Sequence, residues 1–125
     1  NTKRHLQTGC ASLKQIEVAV AAESSFCAKA GGLATVESVV QSVMADVAFD
    51  YEQSDLCFTT VISHLEVYCD SATDPYKPGV DLNLSGCGND GLLNFFRDYW
   101  NANRVGVPRD VAELFSGTGL ECSSS

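Results

Sequence analysis

The segment QIEVAVAAE, residues 15–23, sets Ile16, Val18 and Val20 in alternation with small alanines between them. Both faces of such a strand are apolar, with Glu17 the exception. A strand that hides both faces belongs inside a parallel sheet covered by helices on each side. The rest of the chain must therefore supply parallel neighbours and the helices that cross over to them.

The remaining pattern supplies both. AKAGGLA, residues 28–34, reads as a turn, with Thr35 placed to cap a helix and Glu37 in its first turn. Val36, Val40, Val43, Val47 and Tyr51 then recur at three- and four-residue steps, widened by Val39 and Met44. That stripe predicts an amphipathic helix of about five turns, held by packing because valine is a mediocre helix former. LCFTTVISHLEVYC, residues 56–69, is β-branched and aromatic and predicts the second strand. About twenty residues rich in Asp, Pro, Gly, Ser and Asn follow, and a loop of that length is usually functional or stapled. Asn89 or Asp90 suits the cap of a second helix, whose Leu92, Leu93, Phe96, Tyr99, Trp100 and Asn103 share a face. Pro108 forbids its continuation, and VAELFS, residues 111–116, predicts a third strand. The order strand, helix, strand, helix, strand implies an α/β fold with a parallel sheet and right-handed crossovers. Residues 1–13 form an arm, and residues 14–125 one domain or part of one.

Composition narrows the partners. The net charge is −8 and no Lys/Arg cluster occurs, which argues against nucleic acid and anionic membranes. No apolar run is long enough to span a bilayer. Six cysteines without a CxxC pair, and only His5 and His64 as histidines, favour disulfides in an oxidising compartment over a zinc finger. Asn83 begins an NLS glycosylation sequon, which agrees with secretion.

Motifs for chemistry are sparse. AGGLA lacks both the Walker lysine and the dinucleotide spacing, and no nucleophile elbow or calcium loop of the DxDxDG kind is present. His64 falls in mid-strand, where a packed or edge-exposed histidine is the ordinary role. A flavodoxin-like binding domain would need two further strands, which this length barely allows.

Several segments, taken together, resemble the N-terminal part of the metzincin zinc peptidases, in the reprolysin/adamalysin branch that includes the ADAM enzymes. IEVAVAAE (16–23) is similar to the family's first strand, and the valine-rich stretch 35–53 to its first long helix. LEVY (65–68) followed by DPY (74–76), then LLNFFRDYWN (92–101) and DVAELFSG (110–117), keep the family's order. The likeness is collinear over roughly residues 14–122. It implies the upper subdomain of the zincin fold and a domain that hydrolyses peptide bonds with a zinc-bound water and a glutamate base. The HExxHxxGxxH motif that would hold the zinc is absent from these 125 residues, so this piece is expected to be scaffold and cleft rim, inactive alone. A non-catalytic extracellular interaction or structural module on the same fold is the alternative. The expected partners are a protein or peptide substrate of the complete domain and a separate downstream polypeptide.

The resemblance also implies a partial calcium site at Glu17 and Asp110, with the other ligands supplied from further along the family's chain. The same two residues suit a solvent-facing strand glutamate and a turn-capping aspartate equally well. In the family a cysteine at the place of Cys122 pairs with one in the downstream half, which implies a partner outside these 125 residues. Cys122 also follows its predicted strand whereas Cys10 and Cys57 precede theirs, so it is expected to bond neither. The residues themselves nominate Cys69–Cys87 as a staple across the long loop, with Cys27 as the main competitor for Cys69. Closing about 17 residues in this way would stabilise by roughly 3 kcal/mol.

Overall fold

The computed structural model describes residues 10–85 and 91–117. Three strands, β1 (Lys14–Ala22), β2 (Phe58–Val67) and β3 (Val111–Phe115), form an all-parallel sheet in the order β2-β1-β3. Four helices interleave with them: α1 (Ser24–Ala30), α2 (Leu33–Glu52), α3 (Lys77–Ser85) and α4 (Leu92–Asn103).

The two-sided apolar strand is central, and its alternation sorts the core into two layers. Val18, Val20 and Ala22 pack with Cys27, Val36, Val40 and Met44 on one face. Ala19 and Ala21 meet Tyr76, Phe96 and Trp100 on the other. The alanines are small where the largest rings arrive, which leaves room for tyrosine and tryptophan against the sheet. The chain steps from β1 to β2 on one side and then crosses β1 to reach β3 on the other. Reversing direction while keeping one crossover hand puts α2 and α4 on opposite faces.

A bulge in β2 corrects its register. Val18 pairs with Ile62 but Ala19 pairs with His64, so Ser63 is the additional residue. Its hydroxyl donates to the carbonyl of Pro108 at 2.9 Å. The shift puts Leu65 and Val67 on the α2 face with Ile62, and frees His64 and Glu66 to face α4.

Two helices lie where the sequence predicts turn or loop. AKAGGLA is not simply a turn: its first residues end α1, which begins at Ser24 and closes on Gly31 in the left-handed region (φ 98°). Gly32, also at positive φ, is the cap of α2, which makes no side-chain cap bond there, so Thr35 lies inside the helix. The two helices meet at 97°. No single described helix is long and apolar enough to cross a membrane. The second is α3, inside the presumed structureless loop, where Lys77 and Asp81 pair at 2.7 Å one turn apart. Asn83 therefore lies on a helix rather than in a loop, and its side chain is outside the described residues. The cap of α4 is Gly91 rather than Asn89 or Asp90, which fall outside them too.

The loop staple is also corrected. Cys69 bonds Cys27, with Cα atoms 5.2 Å apart, and not Cys87, which lies outside the described residues. Cys27 and Cys69 each follow the carboxyl end of one of two adjacent parallel strands, which brings them together. The loop, for its part, is ordered by α3 and by the burial of Asp74 and Tyr76. At the opposite end of the sheet Cys10 bonds Cys57, which adopts φ 60°, and Lys14 donates its backbone N–H to the Cys57 carbonyl at 3.0 Å. Neither cysteine is then available to Cys122, itself outside the described residues.

Candidate functional site

The two residues nominated for calcium are neighbours. Asp110 leads into β3 beside Glu17, and its N–H donates to the Glu17 carbonyl at 2.8 Å. The Glu17 N–H returns a bond to Asp110 Oδ2 at 2.7 Å. One carboxylate oxygen of Asp110 thus serves the backbone, locking the register of β1 against β3. The Glu17 carboxylate and the second Asp110 oxygen remain a fraction of the six to eight oxygens that calcium takes. Among the described residues, no set of three or more His, Cys, Asp or Glu side chains is arranged around a metal position.

The carboxyl ends of β1 and β3 lie side by side in the sheet, where an open α/β sheet commonly has its ligand crevice. Here that place is filled by the protein's own carboxylates. Glu23 is fully buried and accepts bonds from the N–H groups of Ser25 and Phe26. Its other oxygen accepts from Ser25 Oγ at 2.7 Å and Ser116 Oγ at 2.5 Å. Asp74 accepts from the Ser24 N–H and hydroxyl at 2.9 and 2.8 Å, and from the Tyr76 N–H at 2.8 Å. Gly117 approaches so closely that a Cβ there would lie 2.5 Å from the Ser25 carbonyl oxygen. The backbone N–H groups of Ser24, Ser25 and Phe26 at the start of α1 are thus engaged by the protein's own side chains. The crevice is a clamp that ties β3 to β1 and to the 74–76 turn.

On the α4 face, Glu66 gathers a polar network against the apolar core. It accepts from Tyr76 Oη at 2.5 Å, His64 Nε2 at 2.9 Å and Arg104 Nε at 3.0 Å. Trp100 Nε1 donates to Tyr76 Oη at 2.7 Å, which carries the network into the core. Burial pushes the Glu66 carboxyl up, but hydrogen bonds from Arg104, Tyr76 and His64 outweigh it and hold the group below its ordinary value. Burial and the adjacent Glu66 raise the Tyr76 phenol. The bond to Glu66 raises the Arg104 guanidinium further. His64 is thus committed to Glu66, with its ring against the edge of Trp100. Tyr76, Glu66 and Arg104 escape sequence reasoning because they are far apart in the chain and form no motif.

The other feature is an apolar groove of about 390 Å³ along β3. Val43, Met44 and Val47 of α2 make one wall, and Leu92, Leu93 and Phe96 of α4 the other. Both helices carry their apolar stripes past the sheet, so Val43 is 40% and Leu93 78% exposed. The sequence predicts both for a buried face, and the structure puts them at its open margin. Among the described residues, β3 has a strand on one side only.

No protein-family description, curated protein or solved structure matches this chain.

Proposed function

We propose that this chain is the upstream portion of a secreted zinc-dependent metalloendopeptidase, acting as scaffold and cleft rim for peptide-bond hydrolysis by the complete domain. The observation that carries the proposal is order. Of the six segments that resemble the metzincins, five fall in sequence on β1, α2, β2, α4 and β3, and the sixth, DPY, on the turn before α3. The adjacency of Glu17 and Asp110 supports a shared calcium site there. Two disulfides suit an oxidising compartment and, with the Asn83 sequon, an extracellular location.

In the complete domain the zinc would polarise the scissile carbonyl and activate water. The zinc ligands would come from outside these residues, and this chain's part is to hold the sheet on which the site is built. The groove beside β3 favours a second reading, a non-catalytic extracellular interaction module. The two readings separate on one assay. The protein as isolated from its source, with everything covalently attached to it, is incubated with a quenched-fluorescent peptide library. The first reading predicts cleavage abolished by a zinc chelator; the second predicts none.

A further inference from the structure

We infer that Cys10–Cys57 is a redox-sensitive latch on the amino end of the sheet, opened by a thiol reductant while Cys27–Cys69 stays closed. The inference stands whether or not the complete protein is a peptidase. It starts from the asymmetry of β1. Lys14, Gln15 and Glu17 in its amino half are exposed, whereas Val18, Ala19, Val20, Ala21 and Ala22 are buried. The carboxyl half is held by the core. The amino half depends on its ladder to β2 and on this disulfide, since Cys57 directly precedes the first rung, Lys14 with Phe58.

Cys57 carries backbone strain. Among the described residues it is the one residue other than glycine at positive φ, 60°. A side chain in the left-handed region is disfavoured and persists where the surroundings fix it. Here the surroundings are the bond to Cys10 and the Lys14 N–H, which donates to the Cys57 carbonyl at 3.0 Å. A disulfide that holds strain is more easily reduced than a relaxed one. Opening it lets residue 57 leave the left-handed region, and the Lys14 bond and the first rungs loosen with it.

Accessibility separates the two disulfides. Cys10 and Cys57 are both partly exposed, so a thiolate can reach either sulfur and the displaced thiolate emerges in water. Cys27 is 4% exposed and lies in the apolar cluster with Val20, Val36 and Val40, which blocks attack on its sulfur. Attack on the exposed Cys69 would expel the Cys27 thiolate into that cluster, where a bare thiolate is costly and leaves slowly. The chemistry is exchange with a low-molecular-weight monothiol. Its thiolate attacks one sulfur, the S–S bond breaks, and the other cysteine leaves as a thiolate and takes a proton. A second monothiol attacks the reductant sulfur of the mixed disulfide and frees the first cysteine. The protein gains two thiols, and the two monothiols end oxidised as their own disulfide.

The test uses the full chain, with reduced glutathione as the probe. Timed samples are acid-quenched, alkylated and peptide-mapped, and amide exchange is followed on the half-reduced chain. Cys10 and Cys57 are expected to become alkylated roughly tenfold faster than Cys27 and Cys69. Exchange should quicken at Lys14 while the buried half of β1 stays protected. Cys10→Ser with Cys57→Ser should reproduce that pattern without glutathione. Cys10→Ser with Cys57→Gly should exchange more slowly at Lys14 than the serine pair, because glycine adopts the left-handed region freely. Reduction of Cys27–Cys69 first, or of both disulfides together, would overturn the inference. So would Lys14 exchange unchanged in the half-reduced chain, or equal exchange in the serine and glycine variants.

Discussion

Trp100 shows how one residue links the core to the polar network. It is 2% exposed, packs against the tilted ring of Phe96, carries the Arg109 guanidinium over its ring at 4.8 Å and donates to Tyr76. Trp100→Ala should cost about 3–5 kcal/mol in a urea titration, whereas wild-type stability would place the ring outside the core. Glu66 sets a pH dependence. Its folded value lies below the unfolded value of 4.5, so its stabilisation is complete above that value and is lost as pH falls through the folded one. Glu66→Gln should therefore flatten the acid limb of a melting-temperature profile relative to wild type below about pH 4.5. An unchanged acid limb would show that the Arg104 and Tyr76 bonds do not hold the charged form. Glu23→Ala strips four donors of their acceptor at the start of α1 and should cost about 2–4 kcal/mol by the same titration. The burial of Trp100 is legible in the helix stripe. The role of Glu23 is not, because a glutamate after an apolar run looks like the strand reaching solvent, and only the later arrival of Ser116 encloses it.

At the scale of elements, apolar periodicity marks whatever the core pays for. The strands and α2 and α4 are legible because each buries a continuous stripe or face. α1 has only seven residues and a single buried one, Cys27, and its Gly31–Gly32 exit disguises it as a turn. α3 contains Pro78 and Gly79 near its start, both poor in helices, and stands by packing on α4. Loop length points to Cys87 as the partner of Cys69, but adjacent parallel strands bring their carboxyl ends together irrespective of loop length. Joining residues 42 apart restrains the unfolded chain by about 4 kcal/mol in the entropic account. A non-reducing peptide map should recover Cys27–Cys69 and Cys10–Cys57. A Cys69–Cys87 peptide would contradict the packing of α1 against the end of β2.

At the scale of the whole molecule, the described residues form a sheet with α2 and α4 on opposite faces, carboxyl side chains engaged at the ends of its strands, and an apolar groove along β3. α2 and α4 overhang that margin with apolar side chains, as the walls of a sheet with room for a further strand would. The exposure of Val43 and Leu93 could not be read from periodicity, which reports that a helix face is apolar but not how far the sheet beneath it extends. The central claim is that these residues are the upstream portion of a metalloendopeptidase. It is tested most directly by sequencing the native transcript through and beyond the codon for Ser125. The account predicts an open frame that goes on to encode HExxHxxGxxH. A frame that closes without that motif would contradict it.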